Sequence, residues 1–349
     1  MGAPRRTPAE IFADHRAKPY AVLARATADV LPSDLTGVLV ALATVRGAAF
    51  QGLATDPWVA SAEQFRTDLA GLAAEVEAAR AVGRVQFTEP LRITDVLPGL
   101  LLAARRYPGR PLRLVELGAC AGLLLAPEVY RIDYRCSSWQ PPGARTTLHC
   151  DAEVPAHLLH TPLVIVDRLG LDLAPVDPRD PDAYDYLRTF CWAGDPTRET
   201  RLRDALAAVA HDPPPVIATD VVEVLPDVLA ERVSPEAVTV VVESGLSTYL
   251  RGGHLLRLGR TLDAHANQGP LVLLTRAGAA PGIEDLTNSI KVVDLHRPWR
   301  STYAAGDLLT ERVRWIGPVA AETGPSATRR STSQSIRVGT DSRQCRQLK

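Results

Sequence analysis

Between residues 112 and 275 the chain repeats one pattern: a short, almost wholly apolar run rich in β-branched residues, then a longer stretch of mixed polarity. The runs are Leu112–Leu117, Leu163–Val166, Val216–Ala218, Ala237–Val242 and Pro270–Thr275, and helical spacing at Arg198–Val209 and Gly253–Ala266 separates the later ones. A strand with one wet face alternates apolar and polar residues. A strand apolar throughout is buried on both faces, as happens when helices cover a parallel sheet from both sides. The pattern predicts an α/β fold, a Rossmann-like doubly wound and mostly parallel sheet over residues 111–320. Ile290–Leu295 and Arg312–Val319 read as a closing hairpin. Residues 127–160, between the first two strands, read as an insertion with strand-like pieces of its own.

Residues 1–110 carry no strand signal and are expected to form an N-terminal helical cap. Thr7-Pro8-Ala9-Glu10 has the form of a helix start, with a capping hydroxyl, proline at the first helical position and an acid three residues after the cap. Helical spacing follows at 34–46 and 59–80, and again from Glu89 to Arg106, where Tyr107-Pro108-Gly109 breaks it. Residues 321–349 are polar and aperiodic and are expected to be a disordered tail.

Composition narrows the function. The 349 residues are 46% hydrophobic and 23% charged with a formal net charge of −1, which gives no basic face for nucleic acid. No apolar run reaches membrane-spanning length, so the expected partner is a small-molecule substrate, with no nucleic acid and no membrane; the oligomeric state is open. Five scattered cysteines form no metal-binding spacing, so no metal is expected, and their odd number points to a reducing cytoplasm.

The loop after the first strand, RLVELGACAGLLL at 113–125, raises the question of a ligand. A dinucleotide loop would place glycine at 118, 120 and 123, where the chain has Gly118, Cys120 and Leu123. A phosphate-binding P-loop would need Gly-Lys-Ser/Thr, which is absent. Glu116-Leu-Gly118-Ala-Cys120-Ala-Gly122 instead resembles the first motif of class I S-adenosylmethionine-dependent methyltransferases, with Cys120 in place of the middle glycine. Gly170-Leu-Asp172 at the second strand end, Asp220 at the third and VVVESGLSTYL at the fourth resemble the later motifs in order. More closely, the chain resembles the bacterial domain-of-unknown-function family twenty-three thirty-two over residues 80–280. The resemblance is carried by Gln86-x-Thr88-Glu89-x-x-Arg92, the glycine loop with Tyr130–Tyr134, and Arg168-x-Gly170-x-Asp172-x-x-Pro175-x-Asp177. Trp192, Arg198…Arg201-Leu202 and Ser244…Tyr249 complete it. That likeness implies a fold rather than a reaction.

The methyltransferase resemblance implies S-adenosylmethionine as cofactor, with Glu116, Gly118, Cys120, Gly122, Asp172 and Asp220 around it. Each residue has a plainer reading. Glu116 could bond loop amides, the glycines could serve only the turn, and Asp172 could cap a helix. Glu223 could stand in for Asp220. Gln86, Glu89, Arg92 and Arg168 are candidates for substrate binding, although Glu89 and Arg92 could simply pair one helical turn apart. Asp172, Asp177 or an acceptor carboxylate could partner Arg168. Glu243 is the candidate base and Tyr249 an acceptor-site residue, with His254 after them; Glu243 could equally brace the loop that follows it. His149 beside Cys150 faces the other way on a strand, and no G-x-S-x-G elbow is present. The sequence thus points to methyl transfer to a small acceptor bearing an anionic group. A nucleoside-binding enzyme of different chemistry and a non-catalytic scaffold stay open.

Overall fold

The apolar runs assemble into one seven-stranded sheet. In this computed structural model the described residues are 23, 26–27, 29–32, 35–82, 85–152, 154–191, 197–250, 252–276, 289–295 and 299–304. Thr7–Glu10, Trp192, Arg312–Val319 and the tail 321–349 lie outside them. The strands are β1 (Leu112–Leu117), β2 (Tyr130–Tyr134), β3 (Ser138–Trp139), β4 (Thr146–Cys150), β5 (Ile165–Asp172), β6 (Val216–Ala218), β7 (Val238–Glu243), β8 (Leu271–Arg276), β9 (Ser289–Asp294) and β10 (Trp299–Ala304). Their order in the large sheet is β10-β9-β8-β7-β1-β5-β6. β8, β7, β1, β5 and β6 run parallel, and β9 pairs antiparallel with both β8 and β10. The closing hairpin is therefore β9–β10, formed by 299–304 where the sequence pointed to 312–319. β5 extends well past Val166 because its two charges have partners: Asp167 pairs with Arg232 at 3.1 Å, and Arg168 pairs with Glu128.

Helices cover both faces. They are α1 (Leu35–Phe50), α2 (Ala62–Gly71), α3 (Ala73–Val82), α4 (Ile93–Arg106), α5 (Ala156–Leu159), α6 (Ala183–Arg188), α7 (Thr197–Val209), α8 (Val221–Arg232) and α9 (Gly252–His265). Strand alternation sends Leu112, Leu114, Val240, Val242 and Leu274 towards α4, and Val115, Leu117, Leu171 and Val241 towards α8 and α9. This is a mixed α/β fold around a mostly parallel sheet flanked by helices.

Helices α1–α3 keep a separate core of Val38, Leu42, Val45, Phe65, Leu69 and Val76. α4, grouped with them by sequence, instead packs over β7, β8 and β9, because Leu97, Leu100 and Leu101 make one continuous buried face. Pro98 inside α4 has no N–H for the Thr94 carbonyl one turn earlier. The Tyr134 hydroxyl donates to that carbonyl at 2.9 Å, tying the inserted sheet β3-β2-β4 to the helix. Arg46 of α1, 1% exposed, joins the cap to the rest. It donates to the Cys191 carbonyl at 2.7 Å, pairs with Glu199, and lies over the Phe50 and Trp58 rings. Cys120, Cys150 and Cys191 are free thiols.

Candidate functional site

β1 stands where the strand order reverses, with β5 and β6 on one side and β7 and β8 on the other. The chain leaves β1 towards the α4 face and leaves β7 towards the α9 face. Diverging exits of this kind open a crevice at the carboxyl ends of two neighbouring strands. Glu116 is paired in register with Gly170 and Val242 at that end of β1. By alternation its side chain shares the α4 side with Asp172 and with Ser244, one residue past β7.

Glu116 is 4% exposed, and its Oε2 has no hydrogen-bond partner. Burial pushes its carboxyl well above the ordinary 4.5; Arg92 nearby pulls it down, and Asp172 adds to the rise. Ser244 Oγ is a second buried oxygen without a partner. Arg92 reaches the same place from the turn before α4, and its Nη1 donates to the Ser244 carbonyl at 2.7 Å. Glu116, Arg92 and Ser244 are thus brought together from three segments.

No helix follows the glycine loop directly. Gly118 and residues 120–125 are turns, and Ala119–Ala126 are buried. Gly118, Cys120 and Gly122 are left-handed, with φ of 75°, 52° and 68°, so Cys120 adopts the backbone that the middle glycine would supply. The amides of Gly118 and Ala119 donate to the Leu171 carbonyl at 2.8 and 3.2 Å, and the Cys120 amide to Asp172 Oδ2 at 2.8 Å. The loop therefore wraps the end of β5. A Cβ on Gly122 would lie 2.8 Å from Pro214 Cγ, so close packing accounts for that glycine. Burial raises the Cys120 thiol well above its usual range, with Asp172 and Glu116 adding to it.

Asp172, 8% exposed, is held by protein donors on both oxygens. Oδ1 accepts from Gln86 Nε2 at 2.9 Å and from the Ala174 amide at 2.8 Å. Gln86 also donates to the Ala174 carbonyl at 2.7 Å, which makes it a strut between the cap side and β5. Asp220 is the N-cap of α8 and accepts from the Val222 amide at 2.8 Å; Glu223 pairs at the surface with Arg257. Glu243 turns to the opposite face from Glu116. Its Oε1 accepts from the Gly245 and Ser247 amides, both at 2.9 Å, and its Oε2 from Thr275 Oγ1 at 2.7 Å. That is a brace for the loop after β7. Tyr249 closes that loop and keeps 37% of its surface. Protein packed about its hydroxyl raises its pKa, and Arg92 opposes the rise. His254 is exposed.

A family model described as an uncharacterized protein conserved in bacteria (DUF2332) matches residues 11–315. The chain belongs to this family. No curated protein matches it. In this DUF2332 member Glu89 is engaged by partners other than its neighbour Arg92. Glu89 caps the turn Pro90–Arg92 through the Leu91 amide at 3.0 Å and pairs with Arg198 at 3.0 Å and Arg201 at 3.2 Å. The geometry also separates Arg168 from the crevice: it bonds Glu128 midway along β5, so neither Asp172 nor Asp177 is its partner. His149 is exposed and 3.6 Å from Asp133, while Cys150 packs against the core. Among the described residues no cluster of His, Cys, Asp and Glu is placed to hold a metal, and no helix is long and apolar enough to cross a membrane.

Sequence reasoning found Arg198, Arg201 and Ser244 only as parts of a family pattern and passed over Phe87. The missed signal was local: an aromatic residue amid Gln86, Thr88 and Glu89, immediately before a helix that starts with proline.

Proposed function

We infer that this chain binds S-adenosylmethionine at the carboxyl ends of β1 and β7 and methylates a small-molecule acceptor. The fold would then be Rossmann-like, of the class I methyltransferase type, working in the bacterial cytoplasm. The observation that carries the reading is Glu116, a buried acid with an unpartnered oxygen at the reversal of strand order. A buried acid without a partner is costly unless something compensates it, and a ligand cation would do so. The amino-acid end of S-adenosylmethionine offers an ammonium for Glu116 and a carboxylate for Arg92. When bound, the cofactor supplies an electrophilic methyl group on a sulfonium. The chain's own residues then orient and exclude water, the main requirements of an in-line displacement.

The glycine loop forms a wall of this site, with the Gly118, Ala119 and Cys120 amides turned to Leu171 and Asp172. Asp172 acts as the staple of that wall, and Glu243 as a brace rather than a base. A non-catalytic scaffold is the second reading, favoured by the internal bonds that occupy Asp172 and Asp220.

Calorimetric titration separates the two, with S-adenosylmethionine and S-adenosylhomocysteine as ligands and NAD and ATP as controls. Methyl transfer requires micromolar binding that Glu116→Gln weakens at least about tenfold, the loss expected for a charge-assisted contact. A folded protein that binds neither ligand would leave the scaffold.

A further inference from the structure

Two buried side-chain oxygens at the crevice have no hydrogen-bond partner, Glu116 Oε2 and Ser244 Oγ. Glu116 is 4% and Ser244 7% exposed. Val242 is the register partner of Glu116 and Ser244 stands two residues further on, so alternation turns both side chains to the α4 side. A serine hydroxyl within reach of a carboxyl would donate to it and satisfy both groups. Neither oxygen has taken that route, so the pair stands apart, each still short of a donor, an arrangement that native interiors rarely keep. The backbone at Ser244 is pinned as well. Its carbonyl accepts from Arg92 Nη1 at 2.7 Å, and Glu243 before it accepts from the Gly245 and Ser247 amides after it, both at 2.9 Å.

The chemistry of the pair selects its ligand. A divalent cation needs a shell of several oxygens and would meet the charge of Arg92, which bears on Glu116. A guanidinium fork suits the two oxygens of one carboxylate. A primary ammonium has three N–H donors at tetrahedral angles: one serves Glu116 Oε2, another Ser244 Oγ, and the carbon on the nitrogen leads outwards. A bare amine would be repelled by Arg92. An α-amino acid would not, since its carboxylate stands next to its ammonium.

We propose that Ser244 joins Glu116 in a receptor for the primary ammonium of an α-amino-acid group, and that its hydroxyl makes the site reject ligands whose nitrogen lacks N–H donors. The receptor stands on the two buried oxygens; assigning the amino-acid group to S-adenosylmethionine rests on the methyl-transfer reading.

The test titrates the full chain with L-methionine, its N-trimethyl betaine and its deaminated analogue, by calorimetry and ligand-observed NMR. The three share a carboxylate and a thioether chain and differ only at nitrogen. The betaine keeps the positive charge without N–H donors, and the deaminated acid is smaller and has neither. Saturable binding of L-methionine is expected, at least about tenfold tighter than that of either analogue. Ser244→Ala weakens L-methionine about tenfold and leaves the betaine unchanged, so the preference shrinks; a serine that only shaped the loop would lower both alike. Glu116→Gln weakens L-methionine at least about tenfold, whereas Glu77→Gln, a surface acid of α3 with 73% of its side chain exposed, changes nothing. If a variant fails to fold, the preference of the wild type still decides. Absence of saturable L-methionine binding by the folded wild type, equal binding of the betaine, or an unchanged preference in Ser244→Ala overturns the receptor. A separate S-adenosylhomocysteine titration keeps the two claims apart. Methionine binding without S-adenosylhomocysteine binding retains the receptor and sinks methyl transfer; S-adenosylhomocysteine binding that Ser244→Ala leaves unchanged sinks the receptor alone.

Discussion

Replacing Asp172 with alanine distinguishes a structural staple from a ligand contact. The substitution removes three hydrogen bonds, from the Cys120 amide, the Ala174 amide and Gln86 Nε2, and leaves the buried Cys120 N–H without its acceptor. Hydrogen bonds to a charged group are worth about 1.5–3 kcal/mol each, so a plain sum would be about 5–9 kcal/mol. Bonds sharing one carboxylate are not additive, and water can enter the gap, so the expected loss is about 3–5 kcal/mol. At a urea slope of about 3 kcal/mol/M, the midpoint falls by roughly 1–1.7 M. Urea unfolding followed by tryptophan fluorescence gives the number, and hydrogen exchange at the Cys120 and Ala174 amides locates it. A loss under about 1 kcal/mol together with abolished ligand binding would refute the staple and return Asp172 to the cofactor-binding role that the methyltransferase resemblance implied.

Glu116 controls a pH effect. Its folded pKa is raised above the ordinary 4.5 by burial, so below that value both states carry the proton and no penalty arises. As pH rises further, only the unfolded chain gains by ionising, and stability falls until the raised folded pKa is passed. Glu116→Gln should therefore match the wild type near pH 4 and exceed it near pH 7; urea midpoints that differ equally at both would contradict this. Gly122→Ala forces a side chain onto a φ of 68° and a Cβ to 2.8 Å from Pro214. Strain and overpacking together should cost about 3 kcal/mol, a drop of roughly 5–10 °C in Tm by calorimetry, whereas an unchanged Tm would mean that the loop has room. Arg46→Ala leaves Glu199 and two carbonyls without their buried partner. It should cost about 3–5 kcal/mol and speed proteolysis between α1 and α3, and a protected cap would show that the arginine is not its anchor.

The parallel sheet was legible because its strands are buried on both faces and so keep no polar alternation. β1 and β6 begin and end where their apolar runs do. β5 was read too short because Asp167 and Arg168 look like a strand end until Arg232 and Glu128 are brought to them by the fold. α4 was read as cap because helical spacing says nothing of what a helix packs on. The glycine loop was read as a ligand cradle because spacing gives positive φ but not the direction of the amides. Those amides turn to Leu171 and Asp172, residues more than fifty positions on for each donor. The pairing of Glu89 with Arg198 and Arg201 was hidden for the same reason, since the local Arg92 was the nearer candidate in sequence and the tertiary contact won.

The central claim is that Glu116 and Arg92 hold the amino-acid end of S-adenosylmethionine where the strand order reverses. A crystal structure grown with saturating S-adenosylhomocysteine tests it most directly. The account predicts the ligand's amino group against Glu116 and its carboxylate against Arg92, beside Ser244. A ligand seated elsewhere, or a crevice without ligand in such crystals, would contradict it.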